Sequence, residues 1–151
     1  MEQSKYITNN ISINATAEEV WDALVNPLKT RQYMFGCETV SDWKVGSELR
    51  WRGKMDGKEI DFVTGYIVSI DPPSKLVYTV FDPLSDMEDI PENHLTVTYD
   101  LITENGATTL TVTQGDYSKV ANGEKRYADS YNNGEGWMPV LKAIKDLVEN
   151  G

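Results

Sequence analysis

Between Glu38 and Thr113 the chain reads almost wholly as strands. Only one later stretch, Trp137 to Val148, is apolar and long enough to cover them. Leu95, Val97, Tyr99 and Leu101 alternate with Thr96, Thr98 and Asp100, and Leu110 and Val112 alternate with Thr109, Thr111 and Thr113. Successive strand residues point to opposite faces, so one face of this sheet is apolar and the other is set with threonine. In the closing stretch Trp137, Val140, Leu141, Ile144, Leu147 and Val148 fall on one face at helical spacing. Pro139 is tolerated in its first turn; Asn132-Asn133-Gly134-Glu135-Gly136 breaks the chain before it, and Gly151 sits where a helix stop belongs. A dry sheet face with one helix to cover it predicts an α+β fold: a curved antiparallel β-sheet gripping a long C-terminal helix. A bent sheet around a single helix seldom fills its own interior. That predicts a mainly apolar cavity between the two.

The remaining elements fit this plan. Tyr6 to Asn14 reads as a strand with Ile7, Ile11 and Ile13 on one face and Asn9 as the polar exception. Thr16 and Glu19 form a capping box, and Ala17, Val20, Trp21, Leu24 and Val25 line one face of the helix that follows. Asn26-Pro27 ends that helix and starts a second short one, which runs to about Tyr33-Met34 and stops at Gly36. Glu38 to Trp43 is a short strand, and Leu49, Trp51 and Met55 alternate along the next. Asp56-Gly57 and Asn105-Gly106 are hairpin turns. Strict alternation in the long strand after Gly57 puts Ile60, Phe62, Tyr66, Val68 and Ile70 on one side. Leu76 to Phe81 is a further strand, Asp82 to Asn93 an acidic loop, and Lys125 to Tyr131 a helical start. No repeat or linker divides the chain, so residues 1–151 are expected to form a single domain.

Charge and composition exclude several classes. The formal net charge of -10 opposes phosphate backbones and anionic bilayers, which attract proteins through Lys and Arg. A mean hydropathy of -0.45 and the lack of a long apolar run predict no membrane association. The start, Met1-Glu2-Gln3-Ser4-Lys5-Tyr6, lacks the basic-then-apolar pattern of a secretory signal. Cys37 is the sole cysteine, so the chain is expected in the cytoplasm.

Several segments together resemble the START-like, helix-grip superfamily (SRPBCC, which includes the birch-pollen-allergen fold). Within it they are most similar to the bacterial family related to the C-terminal domain of the activator of heat-shock protein 90 ATPase. The carrying residues are Ala15-Thr16-Ala17-Glu18-Glu19-Val20-Trp21-Asp22-Ala23-Leu24 with Asn26-Pro27, then Ser41-Asp42-Trp43-Lys44-Val45-Gly46-Ser47 and Trp51-Arg52-Gly53. Asp82-Pro83-Leu84-Ser85, Pro91-Glu92-Asn93, and Gly136-Trp137 with Val140-Leu141 complete the set. The resemblance implies the helix-grip fold and a pocket. It implies no single chemistry, because the superfamily hosts lipid carriers, cyclases, hormone receptors and co-chaperones.

The candidate cavity lining is Trp51, Phe62, Tyr66, Tyr78, Tyr99, Trp137 and Leu141, with Tyr33, Met34 and Phe35 at its mouth. Aromatic rings also dominate ordinary cores, so the same residues serve either reading. His94, the sole histidine, follows the threonine alternation and is expected on the surface outside the cavity. Cys37 has no histidine near it in the pattern and is expected to be a buried or half-buried small residue. The acidic loop residues Asp82, Asp86, Glu88, Asp89 and Glu92 lack calcium-loop spacing, and one His with one Cys is too few for zinc. No metal site and no cofactor is predicted. The expected function is binding of an apolar or amphipathic small molecule. One alternative is a cyclase-like enzyme using cavity Tyr or carboxylate groups, with Asp61 or Glu59 qualifying only if the strand register is off by one. The other is a stress-related co-chaperone or interaction module with a protein partner, working through its acidic surface.

Overall fold

The computed structural model describes residues 5–131 and 136–150. The expected break at Asn132-Asn133-Gly134-Glu135 and the terminal Gly151 lie outside them. Seven antiparallel strands, β1 (Ile7–Ile13), β2 (Glu38–Ser41), β3 (Glu48–Met55), β4 (Lys58–Asp71), β5 (Lys75–Val80), β6 (Leu95–Glu104) and β7 (Ala107–Gly115), form one curved open sheet. Its order is β1-β7-β6-β5-β4-β3-β2. Helices α1 (Ala17–Val25) and α2 (Pro27–Tyr33) follow β1, and α3 (Gly123–Tyr131) and α4 (Met138–Asn150) follow β7. This is the α+β helix-grip architecture expected from the sequence.

Local chemistry sets the element ends. Thr16 accepts from the Glu19 amide at 3.2 Å while the Glu19 carboxylate takes the Thr16 amide, so both halves of the capping box form. The Asn26 side chain then caps α2, with Pro27 at its first position. Asp56-Gly57 and Asn105-Gly106 all take positive φ, the conformation a two-residue hairpin turn of matching twist demands. Asn9, the polar exception on β1, is buried because its Oδ1 accepts the Trp137 amide at 3.0 Å, which ties the entry to α4 onto the sheet. Leu141 and Ile144 of α4 are fully buried in one apolar cluster with Ile13, Leu24, Val97 and Tyr99.

Strand β4 departs from strict alternation. Trp51 pairs with Val63 but Arg52 pairs with Asp61, so Phe62 is an inserted residue. A second register shift lies between Ile67 and Ser69. Each bulge exchanges the two faces of the strand. Between them the inward residue is Ile67, fully buried, whereas Tyr66 is 38% exposed and Val68 is exposed. Tyr66 therefore lies on the outer face, not in the cavity, and Val68 with it. After the second bulge Ile70 again packs on the core, opposite Leu76.

His94 is also corrected. It lies on the outer face, yet it is only 8% exposed. Its ring runs nearly parallel to those of Tyr66 and Phe81, with centroids 5.2 and 5.1 Å away. Its nitrogens bond Thr79 Oγ1 at 2.9 Å and Asp89 Oδ1 at 2.7 Å. The Tyr66 ring that the first bulge turns outward is part of what covers it.

Candidate functional site

A recess of about 570 Å³ opens between strands β3 to β7, the loop after α2, and the residues around the entry to α4. It is lined by Trp51 of β3, Phe62 and Val63 of β4, Tyr78 and Val80 of β5, Val97 of β6 and Gln114 of β7. Met34, Phe35 and Cys37 come from the α2–β2 passage, and Ser130 and Trp137 close the helical side. Lys54 is the one charged residue among those lining it. The bulge explains why Phe62 and Val63, neighbours in sequence, both reach it: the inserted residue breaks the alternation there.

The structure brings Trp51, Phe62, Tyr78 and Trp137 together on this recess, with Met34 and Phe35 at its edge. Phe35 is 91% exposed and holds a positive φ of 54°, followed by Gly36 at 82°, so the chain turns sharply at the rim. Besides Tyr66, on the outer face, three residues lie elsewhere. Leu141 is sealed in the core, because α4 packs directly on β1, α1 and α2. Tyr99 is one layer deeper than the lining, edge-on to Tyr78 and Trp137. Tyr33 is buried, its hydroxyl donating to the Ala23 carbonyl at 2.7 Å, so it braces α2 against α1 instead of framing a mouth.

Two polar contacts fix the lining. The Tyr78 and Tyr99 hydroxyls share a buried hydrogen bond of 2.6 Å. The Trp137 indole N–H donates to Gln114 Oε1 at 2.8 Å. Burial pushes the Tyr78 and Tyr99 hydroxyls well above their ordinary range, and burial likewise raises the Cys37 thiol. All three are neutral at physiological pH. Asp61 remains on the outer face because the register shift falls after it, not before it. There Arg52 at 2.8 Å and Arg50 at 2.7 Å hold its carboxyl below the usual carboxylate range. Among the described residues no group of three or more His, Cys, Asp or Glu is placed to hold a metal ion. None of the described helices is long and apolar enough to cross a membrane.

The family described as Activator of Hsp90 ATPase homolog 1-like protein matches residues 14–149. The chain belongs to that family. It is 35% identical to ChR145 from Cytophaga hutchinsonii, whose solution structure superposes with a TM-score of 0.76 over 99% of this chain and 97% of that one. The Aha1 dimer from Colwellia psychrerythraea shares the fold at 16% identity and a TM-score of 0.68, covering 97% of this chain and 98% of that one. CalU16 from Micromonospora echinospora does so at 18% identity and a TM-score of 0.67, over 97% and 78%. No curated protein sequence matches the chain.

Beside the main recess this Hsp90-activator-like chain carries a smaller one of about 270 Å³, which sequence reasoning missed. Val63, Val80, Gln114 and Ser130 border both. Its polar members include Tyr117, on a 3-10 turn after β7, and Arg126 on α3. The only signal for them was the weak helical pattern from Lys125, which says nothing about which way Arg126 turns.

Proposed function

We propose that the protein binds an apolar or amphipathic small molecule in the recess between the sheet and the entry to α4. The observation that carries this reading is a 570 Å³ concavity walled by Trp51, Phe62, Tyr78 and Trp137 that the protein's own side chains leave unfilled. That volume lies in the range of small-molecule sites, and a mainly apolar wall with few polar groups is their usual composition. The neutral state of Tyr78, Tyr99 and Cys37 favours binding over proton abstraction, since a general base must be deprotonated at working pH.

Two of the four tryptophans line the recess, so occupancy reports itself in their emission. Titration with a panel of fatty acids, fatty alcohols and aromatic polyketides is expected to give a saturable shift with at least one member. Trp51→Phe and Trp137→Phe should each remove part of that signal. A panel that leaves the emission unchanged, together with native mass spectra free of any co-purified small molecule, overturns the reading.

A further inference from the structure

The smaller recess sets Gln114, Tyr117 and Arg126, each with donor capacity to spare, among the apolar side chains of Val63, Val80, Phe81 and Leu95. Trp137 Nε1 can only donate, so the Gln114 oxygen must face it, and among the described residues no acceptor meets the Gln114 NH₂ group. The Tyr117 ring is 1% exposed, and its hydroxyl makes no well-formed hydrogen bond, although Ser130 lies close enough to act on it. Arg126 donates one nitrogen, Nη1, to the carbonyls of Asn93 at 3.0 Å and Ala121 at 3.4 Å, and makes no ion pair with a carboxylate among the described residues. Partial burial pulls its guanidinium below the ordinary value, as expected of a charge taken from water without a full counter-charge.

Two carboxylates stand at the edge of this recess, and both are exposed and engaged. Asp129 pairs with Lys125 at 2.8 Å, and Asp82 accepts the Leu84 amide at 2.9 Å. Neither bonds Arg126, though the field of Asp82 reaches it. Val63, Val80, Gln114 and Ser130 line both recesses, which sets the two side by side.

We propose that the ligand is an amphiphile with a carboxylate head, its apolar body in the aromatic recess and its head on Arg126, Tyr117 and Gln114. This rests on the reading of the larger recess as a binding site and adds the class and direction of what it holds. A carboxylate supplies acceptors to the Tyr117 hydroxyl, the Gln114 amide and the remaining N–H groups of Arg126, and the guanidinium fork suits its two oxygens. Lys54 is the competing cation, exposed on the rim formed by β3.

Calorimetric titration with octanoate and 1-octanol separates the possibilities. Octanoate is expected to bind the wild type at least as tightly as 1-octanol, although the alcohol leaves water more readily. Arg126→Gln should weaken octanoate roughly tenfold or more, the scale of a lost charge-assisted hydrogen bond, and leave 1-octanol unchanged. Tyr117→Phe should weaken octanoate without lowering the unfolding midpoint, since the hydroxyl it deletes makes no well-formed hydrogen bond among the described residues. Lys54→Gln should leave the preference intact. If octanoate binds Arg126→Gln within twofold of wild type, or if Lys54→Gln is the variant that loses it, the head-group assignment is overturned while the cavity stands. If neither compound binds the wild type, the head-group assignment falls, and the cavity reading falls with it only if the emission panel and the native mass spectra are also blank.

Discussion

Gly65 shows how closely the sheet is built around this site. A Cβ at that position would sit 1.8 Å from the Thr79 carbonyl oxygen on β5, a contact with backbone that no rotamer change relieves. Gly65→Ala must therefore push β4 from β5 beneath Tyr66 and His94. Overpacking of this kind typically costs about 1–3 kcal/mol, and a fall in the urea midpoint at unchanged slope is the expected result. An unaltered midpoint would mean that the two strands separate freely there. Gly65 looked in the sequence like any strand glycine, because the obstructing carbonyl belongs to a residue fourteen positions away. Thr16 and Glu19 were legible because their partners are three residues apart and the capping pattern is local. The hairpin residues Asp56-Gly57 and Asn105-Gly106 were legible for the same reason. Asn9 stands out in the sequence as the polar exception on its strand, but its partner is the Trp137 amide, which only the folded chain brings near.

Among the elements, β4 decides most. Neither of its two bulges has a glycine or proline to announce it: Phe62 and Val68 are ordinary strand residues. Alternation thus located the strand correctly and misassigned Tyr66, while Trp51, Tyr78 and Trp137, also read as inward, do border the recess. The outward Tyr66 has a consequence for the Asp82–Asn93 loop. His94 bonds Thr79 on β5 and Asp89 in the loop while Tyr66 and Phe81 cover its ring, so one side chain fastens the loop to the outer face. His94→Ala removes both bonds and the stacked ring. Hydrogen exchange in residues 82–93 is expected to accelerate strongly, with α1 and the β6–β7 hairpin little changed. Uniform acceleration across the chain would instead mark His94 as part of the global core.

For the molecule as a whole, the buried tyrosines predict how stability responds to alkali. Tyr33, Tyr78 and Tyr99 are all buried in the one main apolar cluster, and burial raises each hydroxyl above the ordinary value of 10.0. A group that holds its proton more tightly when folded contributes stability that is fully present below the unfolded value and lost as pH rises beyond it. Stability should therefore be flat with respect to these groups up to about pH 9. Above about pH 10 the unfolded chain releases protons that the folded chain keeps. One such proton changes unfolding free energy by about 1.4 kcal/mol per pH unit, so three acting together approach about 4 kcal/mol per unit. Urea unfolding at a series of pH values from 8 to 11 reads this slope directly. Tyr99→Phe should reduce it by about one proton and, at neutral pH, cost about 1–3 kcal/mol by leaving the Tyr78 hydroxyl without its partner. The double change Tyr78→Phe with Tyr99→Phe should recover part of that neutral-pH loss, since no orphaned hydroxyl remains, and should lower the slope further. A slope that Tyr99→Phe leaves untouched would mean that water reaches these rings in the folded chain, and the recess wall they back would then be wet and loosely packed.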